Sequence, residues 1–169
     1  MSALSTAIPG IIGAQLQPGL GGNIDRMRAE AAAHRSNVRT ILIMLIEDLG
    51  SRWDNSSGPE PSAFYAPTAN IVLGPNDVIE GRDAIRKAFT GRLKGMHGVQ
   101  MRMEEFDTSG DVAFVRGTMV YDLLRPGAPG TKEIATFTML LRTRRDDWLI
   151  QSHSISGIPA LAGDPPADR

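Results

Sequence analysis

Histidine, tyrosine and arginine side chains in apolar, strand-like segments are the best candidates for chemistry in this sequence. His153 lies in the alternating run Trp148–Ser156, and an imidazole can act as a general acid or base near neutral pH. Tyr121 could polarise a carbonyl group with its hydroxyl. Arg116 could bind a carboxylate ligand or pair with an acidic neighbour such as Glu105. We therefore predict His153, Tyr121 and Arg116 as the catalytic candidates.

Each candidate also has an ordinary structural interpretation. A strand histidine can pack in an interface or bond a backbone carbonyl, and alternation along the strand allows His153 to lie on either face. Buried tyrosines often only complete a core. The residue types therefore leave catalysis and packing open for all three candidates.

A set of aromatic, methionine and threonine residues is expected to line one apolar pocket. Tryptophan can stack on a flat ligand, methionine fills irregular gaps, and threonine can donate hydrogen bonds. Core packing and the strand preference of threonine are the competing interpretations. The predicted lining residues are Trp53, Phe64, Tyr65, Met101, Met103, Thr136, Thr138 and Trp148.

Composition excludes several classes of function. Apolar residues make up 41% of the 169 residues and charged residues 22%, which is typical of one globular domain. A net charge of -1 provides no basic surface for nucleic acid or for an anionic membrane. The longest apolar run, Ile41–Ile46, is far shorter than the roughly 20 residues of a membrane-spanning helix. We therefore predict neither a nucleic-acid partner nor a membrane partner.

Cysteine and histidine usage argues against metals and disulfides. The absence of cysteine excludes disulfides and thiolate metal sites, and it suits a reducing compartment such as the cytoplasm. His34, His97 and His153 are far apart in the chain, and no His-Glu-x-x-His pattern occurs. We therefore predict no metal, no cofactor and a cytoplasmic location.

The periodicity of apolar residues predicts the elements that must position these side chains. Spacings of three and four indicate a first helix that is buried on most of its sides, and a second helix with one apolar face. From His97 onward the period changes to two, which predicts an antiparallel meander. Its strands are apolar on both faces in places, so we expect one face to cover the helices and the other a partner chain. The predicted helices span residues 24–53 and 82–93, and the predicted strands begin near 69, 99, 112, 131 and 148.

Three motifs in this order resemble the nuclear-transport-factor-2-like superfamily, which includes SnoaL-like cyclases and ketosteroid isomerase. Phe64–Ala69 is similar to the step that starts the family's first strand, Gly81–Ile85 to the opening of its third helix, and Trp148–Ser156 to its last strand. The resemblance covers about residues 38–160. It implies an α+β fold whose strongly curved antiparallel sheet wraps around helices to form a cone with one internal pocket.

The cone domain is expected to occupy only the central part of the chain. Residues 1–23 are rich in proline and glycine and are predicted to form an N-terminal arm. Residues 24–160 would form the SnoaL-like cone domain, and residues 161–169 a mobile tail.

The resemblance implies a homodimeric protein that binds a small apolar or aromatic molecule, acting as a cofactor-free cyclase, isomerase or dehydratase. A strict ketosteroid isomerase is not expected, because the position of the general-base aspartate falls at Leu73. Asp77 and Glu80 are the nearest carboxylates to the missing base.

The ending His153–Ala160 is similar to the end of the calcium/calmodulin-dependent kinase II association domain. In that family the cones pair through their sheets and assemble into rings. This similarity implies self-association through the outer sheet face, and a non-catalytic assembly module as the alternative function. Met139 and Gly117 stand where the pocket of that domain has arginines, so its ligand preference is not expected here.

Overall fold

The computed structural model describes residues 19–53, 60–125, 127–145 and 147–159. The predicted tail at 161–169 and most of the predicted arm at 1–23 lie outside these residues. The chain divides into two units, residues 1–34 and 35–169, and the candidate site residues all belong to the second.

Two α-helices carry the predicted apolar stripes. Helix α1 spans Gly19–Arg52 and helix α2 spans Arg82–Thr90; short 3-10 helices cover Pro61–Phe64 and Arg92–Gly95. Helix α1 thus begins five residues before the predicted start, and the predicted second helix changes to 3-10 geometry near its end.

The second half of α1 buries one stripe rather than most of its surface. Val38, Leu42 and Leu49 recur at helical spacing and are buried. Ile41 and Met44 are 46% and 64% exposed, so the expectation that this helix is buried on most sides is wrong. These two side chains lie between the stripe positions and therefore point away from the core. In the first unit, the described residues 22–34 are exposed.

Within the described residues, six strands form one open sheet. They are β1 (Tyr65–Gly74), β2 (Asp77–Glu80), β3 (Met96–Ser109), β4 (Val112–Leu123), β5 (Thr131–Arg144) and β6 (Asp147–Ser156). The sheet order is β2-β1-β6-β5-β4-β3. The predicted meander β3 to β6 is confirmed. Strand β1 joins it beside β6 in the one parallel pair, while the other four pairs are antiparallel.

The apolar core lies between the helices and one face of the sheet. Along β4 and β5 buried and exposed positions alternate, as expected for a sheet with one covered face. Gly50 lets α1 approach β3 closely, since a Cβ atom there would lie 3.2 Å from the carbonyl oxygen of Val99. The α+β cone predicted for this part of the chain is therefore present.

Two further findings bear on function. Within the described ranges, no helix is long and apolar enough to cross a membrane. The same residues contain no group of three or more histidine, cysteine, aspartate or glutamate side chains that could hold a metal ion.

Candidate functional site

A β-bulge turns His153 into the core. Leu140 pairs with Ser152, but Leu141 pairs with Ile150, so Gln151 is an extra residue in β6. An extra residue reverses the alternation of side chains. Ile150 before the bulge and His153 after it therefore both face inward, and His153 is fully buried.

Tyr65 is the polar partner of His153. Its hydroxyl lies 2.7 Å from His153 Nδ1, and both side chains are fully buried. Strand β1 places Tyr65 there, because β1 runs parallel to β6 with Tyr65 opposite Ile150. The pair thus depends on a contact between strands that are distant in the chain.

One tautomer satisfies this pair best. If the Tyr65 hydroxyl donates to Nδ1, the proton of His153 is on Nε2, and only that N–H lacks a partner. The opposite assignment would leave both the tyrosine proton and the Nε2 lone pair unsatisfied. We therefore assign Nδ1 as the acceptor and Nε2–H as a free donor.

Aromatic rings surround the imidazole. The rings of Trp53 and Phe137 stand nearly perpendicular to it, with centroids 6.3 and 5.9 Å away, and the Tyr65 ring is nearly parallel at 6.0 Å. Phe89 packs edge-on against Trp53 at 4.8 Å. These contacts make the surroundings of His153 largely apolar.

Burial keeps both members of the pair uncharged. Desolvation lowers the pKa of His153 from 6.5 to about 3 and raises the pKa of Tyr65 far above its ordinary value. Near neutral pH the imidazole therefore cannot serve as a protonated acid, and it is a weak base. A neutral imidazole can still donate a hydrogen bond from Nε2 to a carbonyl oxygen.

Several buried polar atoms have no partner among the described residues. They are Trp53 Nε1, Asn70 Oδ1, Tyr121 Oη and His153 Nε2. A buried donor or acceptor without a hydrogen bond costs about 1–3 kcal/mol. Trp53 and His153 are neighbours, so two of these unpaired groups belong to one small region of the interior.

Tyr121 is buried but belongs to a different part of the sheet. It pairs with Glu133 on β5, whereas His153 pairs with Met139, six residues further along the same strand. At about 3.3 Å per residue the two backbone positions are roughly 20 Å apart. Burial and the nearby Glu133 carboxylate raise the pKa of Tyr121, against an opposing effect of Arg125. The structure therefore does not place the backbones of Tyr121 and His153 close to each other.

Arg116 and the two threonines face the wrong way for an interior role. Arg116 is exposed, stands opposite Thr138 and forms an ion pair with Glu105 at 2.9 Å. Thr136 is exposed and Thr138 is half-buried, both on this outer face. Their neighbours Val115 and Phe137 occupy the inward positions, so strand alternation excludes these three residues from the interior lining.

The other predicted residues occupy the core or its margin. Met101 and Trp148 are buried, and Phe64 and Met103 are half-buried against the core. Only Trp53 and Tyr65 of the predicted lining have ring contacts with His153.

The position of the missing base holds no carboxylate. Leu73 is half-buried against the core. Asp77 is engaged by the guanidinium of Arg92, with Nη1 2.5 Å from Oδ1, and Glu80 is exposed. Neither carboxylate is free and buried as a general base at this site would need to be.

The sequence analysis does not predict the close contact between Phe137 and Gly117. A Cβ atom on Gly117 would lie 2.7 Å from Phe137 Cζ and 2.1 Å from the carbonyl oxygen of Arg102. The ring of Phe137 therefore lies across the glycine, beside a bulge in β3 between Met103 and Glu105. A glycine in an apolar strand is the available signal for such a close approach.

Comparisons with known proteins agree with this fold. A crystal structure of a nuclear-transport-factor-2-like protein with a cystatin-like fold from Novosphingobium aromaticivorans has 16% identity and a TM-score of 0.59, covering 89% of this chain and 95% of that chain. A candidate scytalone dehydratase from the same organism has 13% identity and a TM-score of 0.64, covering 82% and 99%. A ketosteroid isomerase-like protein from Erwinia carotovora atroseptica has 17% identity and a TM-score of 0.57, covering 70% and 97%.

Family membership rests on the sequence match. No curated protein matches the chain. The SnoaL-like domain matches residues 52–153, a range that begins beside Trp53 and ends at His153. The chain therefore belongs to the SnoaL-like domain family, and it has the nuclear-transport-factor-2-like fold.

Proposed function

We propose that the interior around His153 binds a small apolar or aromatic molecule. The observation that carries this proposal is the buried His153–Tyr65 pair, whose free Nε2 lies among aromatic rings. Specific small-molecule sites combine an apolar lining with a few placed polar groups, and this region has that composition. The indole Nε1 of Trp53, which has no hydrogen-bond partner among the described residues, supports the same proposal.

Any reaction at this site would use hydrogen bonding rather than strong acid or base chemistry. The neutral imidazole would polarise a carbonyl group of the substrate and stabilise negative charge that develops on its oxygen. Proteins of the same fold described as a candidate dehydratase and as ketosteroid isomerase-like support a lyase or isomerase reaction. The lack of a buried carboxylate at Leu73 argues for a different route from that of a strict ketosteroid isomerase.

The fluorescence of Trp53 can test ligand binding directly. A Trp148→Phe variant leaves Trp53 as the only tryptophan, and Trp53 contacts His153. We expect small aromatic ketones, such as acetophenone and 2-acetylnaphthalene, to change the emission of Trp53 until the signal saturates at high ketone concentration. The His153→Phe substitution should weaken their binding. Arg116→Ala, on the outer face, is the matched control and should bind as the parent does. If the emission of a folded Trp148→Phe protein does not respond to either ketone, the interior does not bind this class of molecule.

Self-association through the outer sheet face is the second part of the proposal. Phe114 and Leu140 are cross-strand neighbours on this face, 45% and 40% exposed, and Ile134 is 67% exposed opposite Val120. Large exposed apolar side chains on one sheet face are typical of a protein–protein contact. We propose that a second copy of the chain covers them. A non-catalytic assembly module would use the same face, with the interior serving only as core.

A further inference from the structure

Two of the three motifs of the family resemblance come together at the start of helix α2. The backbone N–H of Gly81 donates to the carbonyl oxygen of Ala69 at 2.7 Å. The side-chain Nε of the next residue, Arg82, donates to the carbonyl oxygen of Tyr65, also at 2.7 Å. Gly81 has a φ of 84°, a conformation that glycine adopts without strain. These two adjacent residues therefore hold both ends of the segment from Tyr65 to Ala69.

The sheet itself does not hold this segment. Between the paired positions Tyr65 and Asn70, strand β1 has four residues where β6 has one. The hydrogen bonds of a regular ladder cannot span such unequal lengths. Pairing of β1 with β2 begins only at Asn70. The ladder therefore leaves the backbone just after Tyr65 unfixed, and the hydrogen bond from Arg82 acts at that place.

Helix α2 is anchored well enough to fix the start of β1. Its Ile85 and Phe89 are buried, and the Phe89 ring packs against the Tyr65 ring with centroids 6.1 Å apart. Arg82 is half-buried and has no ion pair with another described residue, so its charged N–H serves the Tyr65 carbonyl alone. A hydrogen bond from a charged donor is stronger than a neutral one. One helix thus contacts both the ring and the backbone of Tyr65.

We propose that Arg82 is a positioning residue, which holds the Tyr65 hydroxyl on Nδ1 of His153 and thereby fixes the proton of His153 on Nε2. This role rests on the proposed function, because the pair of Tyr65 and His153 is the proposed site. The hydroxyl lies 2.7 Å from Nδ1, at the far end of a ring whose backbone Arg82 fixes. If that backbone moves, the hydroxyl moves with it, and the imidazole loses the contact that selects its tautomer. Arg82 acts through Tyr65 and does not itself touch the imidazole.

Two uncharged side chains of equal length test the hydrogen bond itself. In Arg82→Gln the amide nitrogen takes the place of Nε along the side chain and can still donate, whereas Arg82→Met has a methyl group there and cannot. Arg86→Met is the matched control, because Arg86 lies one turn further along the same helix, is exposed, and pairs with Glu60 and Asp83.

Nitrogen-15 spectra of the histidine side chains at neutral pH show which imidazole nitrogen carries the proton. The paired change Tyr65→Phe with His153→Phe identifies the His153 signals by their absence. We expect a single tautomer, with the proton on Nε2, in the wild type, in Arg82→Gln and in Arg86→Met. Arg82→Met should give signals displaced towards those of a mixture of both tautomers. Urea unfolding establishes that each variant is folded before its spectrum is interpreted.

Ligand binding gives a second measurement. Only molecules with the proton on Nε2 can donate from that atom, so the apparent affinity falls with their fraction. For an equal mixture of tautomers in Arg82→Met, acetophenone should bind roughly twofold more weakly than it binds to Arg82→Gln.

Each outcome separates the role of Arg82 from the function on which it rests. A single tautomer in a folded Arg82→Met protein would show that Arg82 does not position the pair. Equal mixtures in Arg82→Gln and Arg82→Met, or in Arg86→Met, would also overturn the assignment, because the Nε donor would then not be the cause. A wild-type proton on Nδ1 would overturn it even if no variant folded. If the tautomers respond as expected but acetophenone does not bind the wild type, Arg82 positions the pair and the proposed function fails.

Discussion

The chemical use of a histidine depends on its surroundings, and His153 is an example of a buried, neutral one. Its residue type and its place in an apolar strand were sufficient to select it as a candidate. The residue type does not predict the charge state of His153. That state results from the rings of Trp53 and Phe137 and from the Tyr65 hydroxyl. These groups come from distant parts of the chain. We therefore propose that His153 acts as a neutral donor and not as the general acid or base expected from the sequence.

The low pKa of His153 should make stability depend on pH. The folded chain holds this imidazole neutral down to about pH 3, whereas the unfolded chain protonates it near pH 6.5. Between these values the unfolded state binds more protons, so the free energy of unfolding falls as the pH falls. The contribution is fully present above pH 6.5, and one such group gives a slope of at most about 1.4 kcal/mol per pH unit. Urea unfolding at pH 7, 6 and 5 measures this slope.

A matched variant isolates this effect from other titrating groups. The paired change Tyr65→Phe with His153→Phe removes the imidazole and should give a shallower slope between pH 7 and 5. Asp107, whose pKa is lowered mainly by its hydrogen bond with Arg35, loses its contribution only at more acidic pH. Equal slopes in the wild type and the variant would show that His153 titrates alike in the folded and unfolded chains.

At the scale of elements, the sequence predicts the positions of the strands and helices well. It predicts less well which side chains of each strand face the core. The apolar period identifies β4, β5 and β6 and places their ends within a few residues of those observed. A period of two does not show which of the two alternating sets of side chains faces the core when both sets contain apolar residues. Phe114 and Val115 are such a case, since they are neighbours on opposite faces and both apolar. Arg116 and Thr136, which the sequence analysis names as site candidates, are exposed on the outer face. The amino-acid composition around Gln151 does not predict the bulge there, although this bulge determines the orientation of His153.

Gly117 is the position where one added methyl group should disturb the site most. In Gly117→Ala the new Cβ atom would overlap both the Phe137 ring and the backbone of β3. Forcing extra atoms into a packed core typically costs about 1–3 kcal/mol, so we expect the urea midpoint to fall. Binding of aromatic probes should also weaken, because Phe137 contacts His153.

Gly22→Ala is the control for this substitution. Gly22 lies in helix α1 with nothing within 4 Å of an added Cβ atom. Gly22 is exposed in the first turn of the helix, where alanine is also tolerated, so this variant should be unchanged or slightly more stable. If Gly117→Ala unfolds at the same urea concentration as the wild type, the close approach of Phe137 to β4 does not constrain the sheet.

At the scale of the whole molecule, the outer sheet face should determine the state of association. Leu140→Asp places a charge at the centre of the exposed apolar cluster with Phe114 and should convert a dimer into a monomer. Met44→Asp is the matched control, because Met44 is also exposed and apolar but lies on helix α1. Sedimentation velocity at micromolar concentration gives the stoichiometry.

The same measurement separates the two functional alternatives. A wild-type dimer that Leu140→Asp dissociates supports the proposed face, and a ring of many subunits favours the assembly module. A wild-type monomer would contradict self-association through the sheet. A dimer that Met44→Asp dissociates and Leu140→Asp does not would place the contact on the helix.

The parallel pairing of β1 with β6 has a consequence for the order in which the chain can fold. Tyr65 pairs with a residue of β6 that lies more than eighty positions later, so closing that contact requires a long loop. The meander from β3 to β6 consists of neighbouring strands and can assemble from local contacts, whereas β1 and β2 must wait for β6. During synthesis on the ribosome, the edge of β1 that pairs with β6 therefore lacks its partner strand until nearly the whole domain has emerged. The hydrogen bond between Tyr65 and His153 joins these two late partners, so the proposed ligand site would be complete only when the last strand docks.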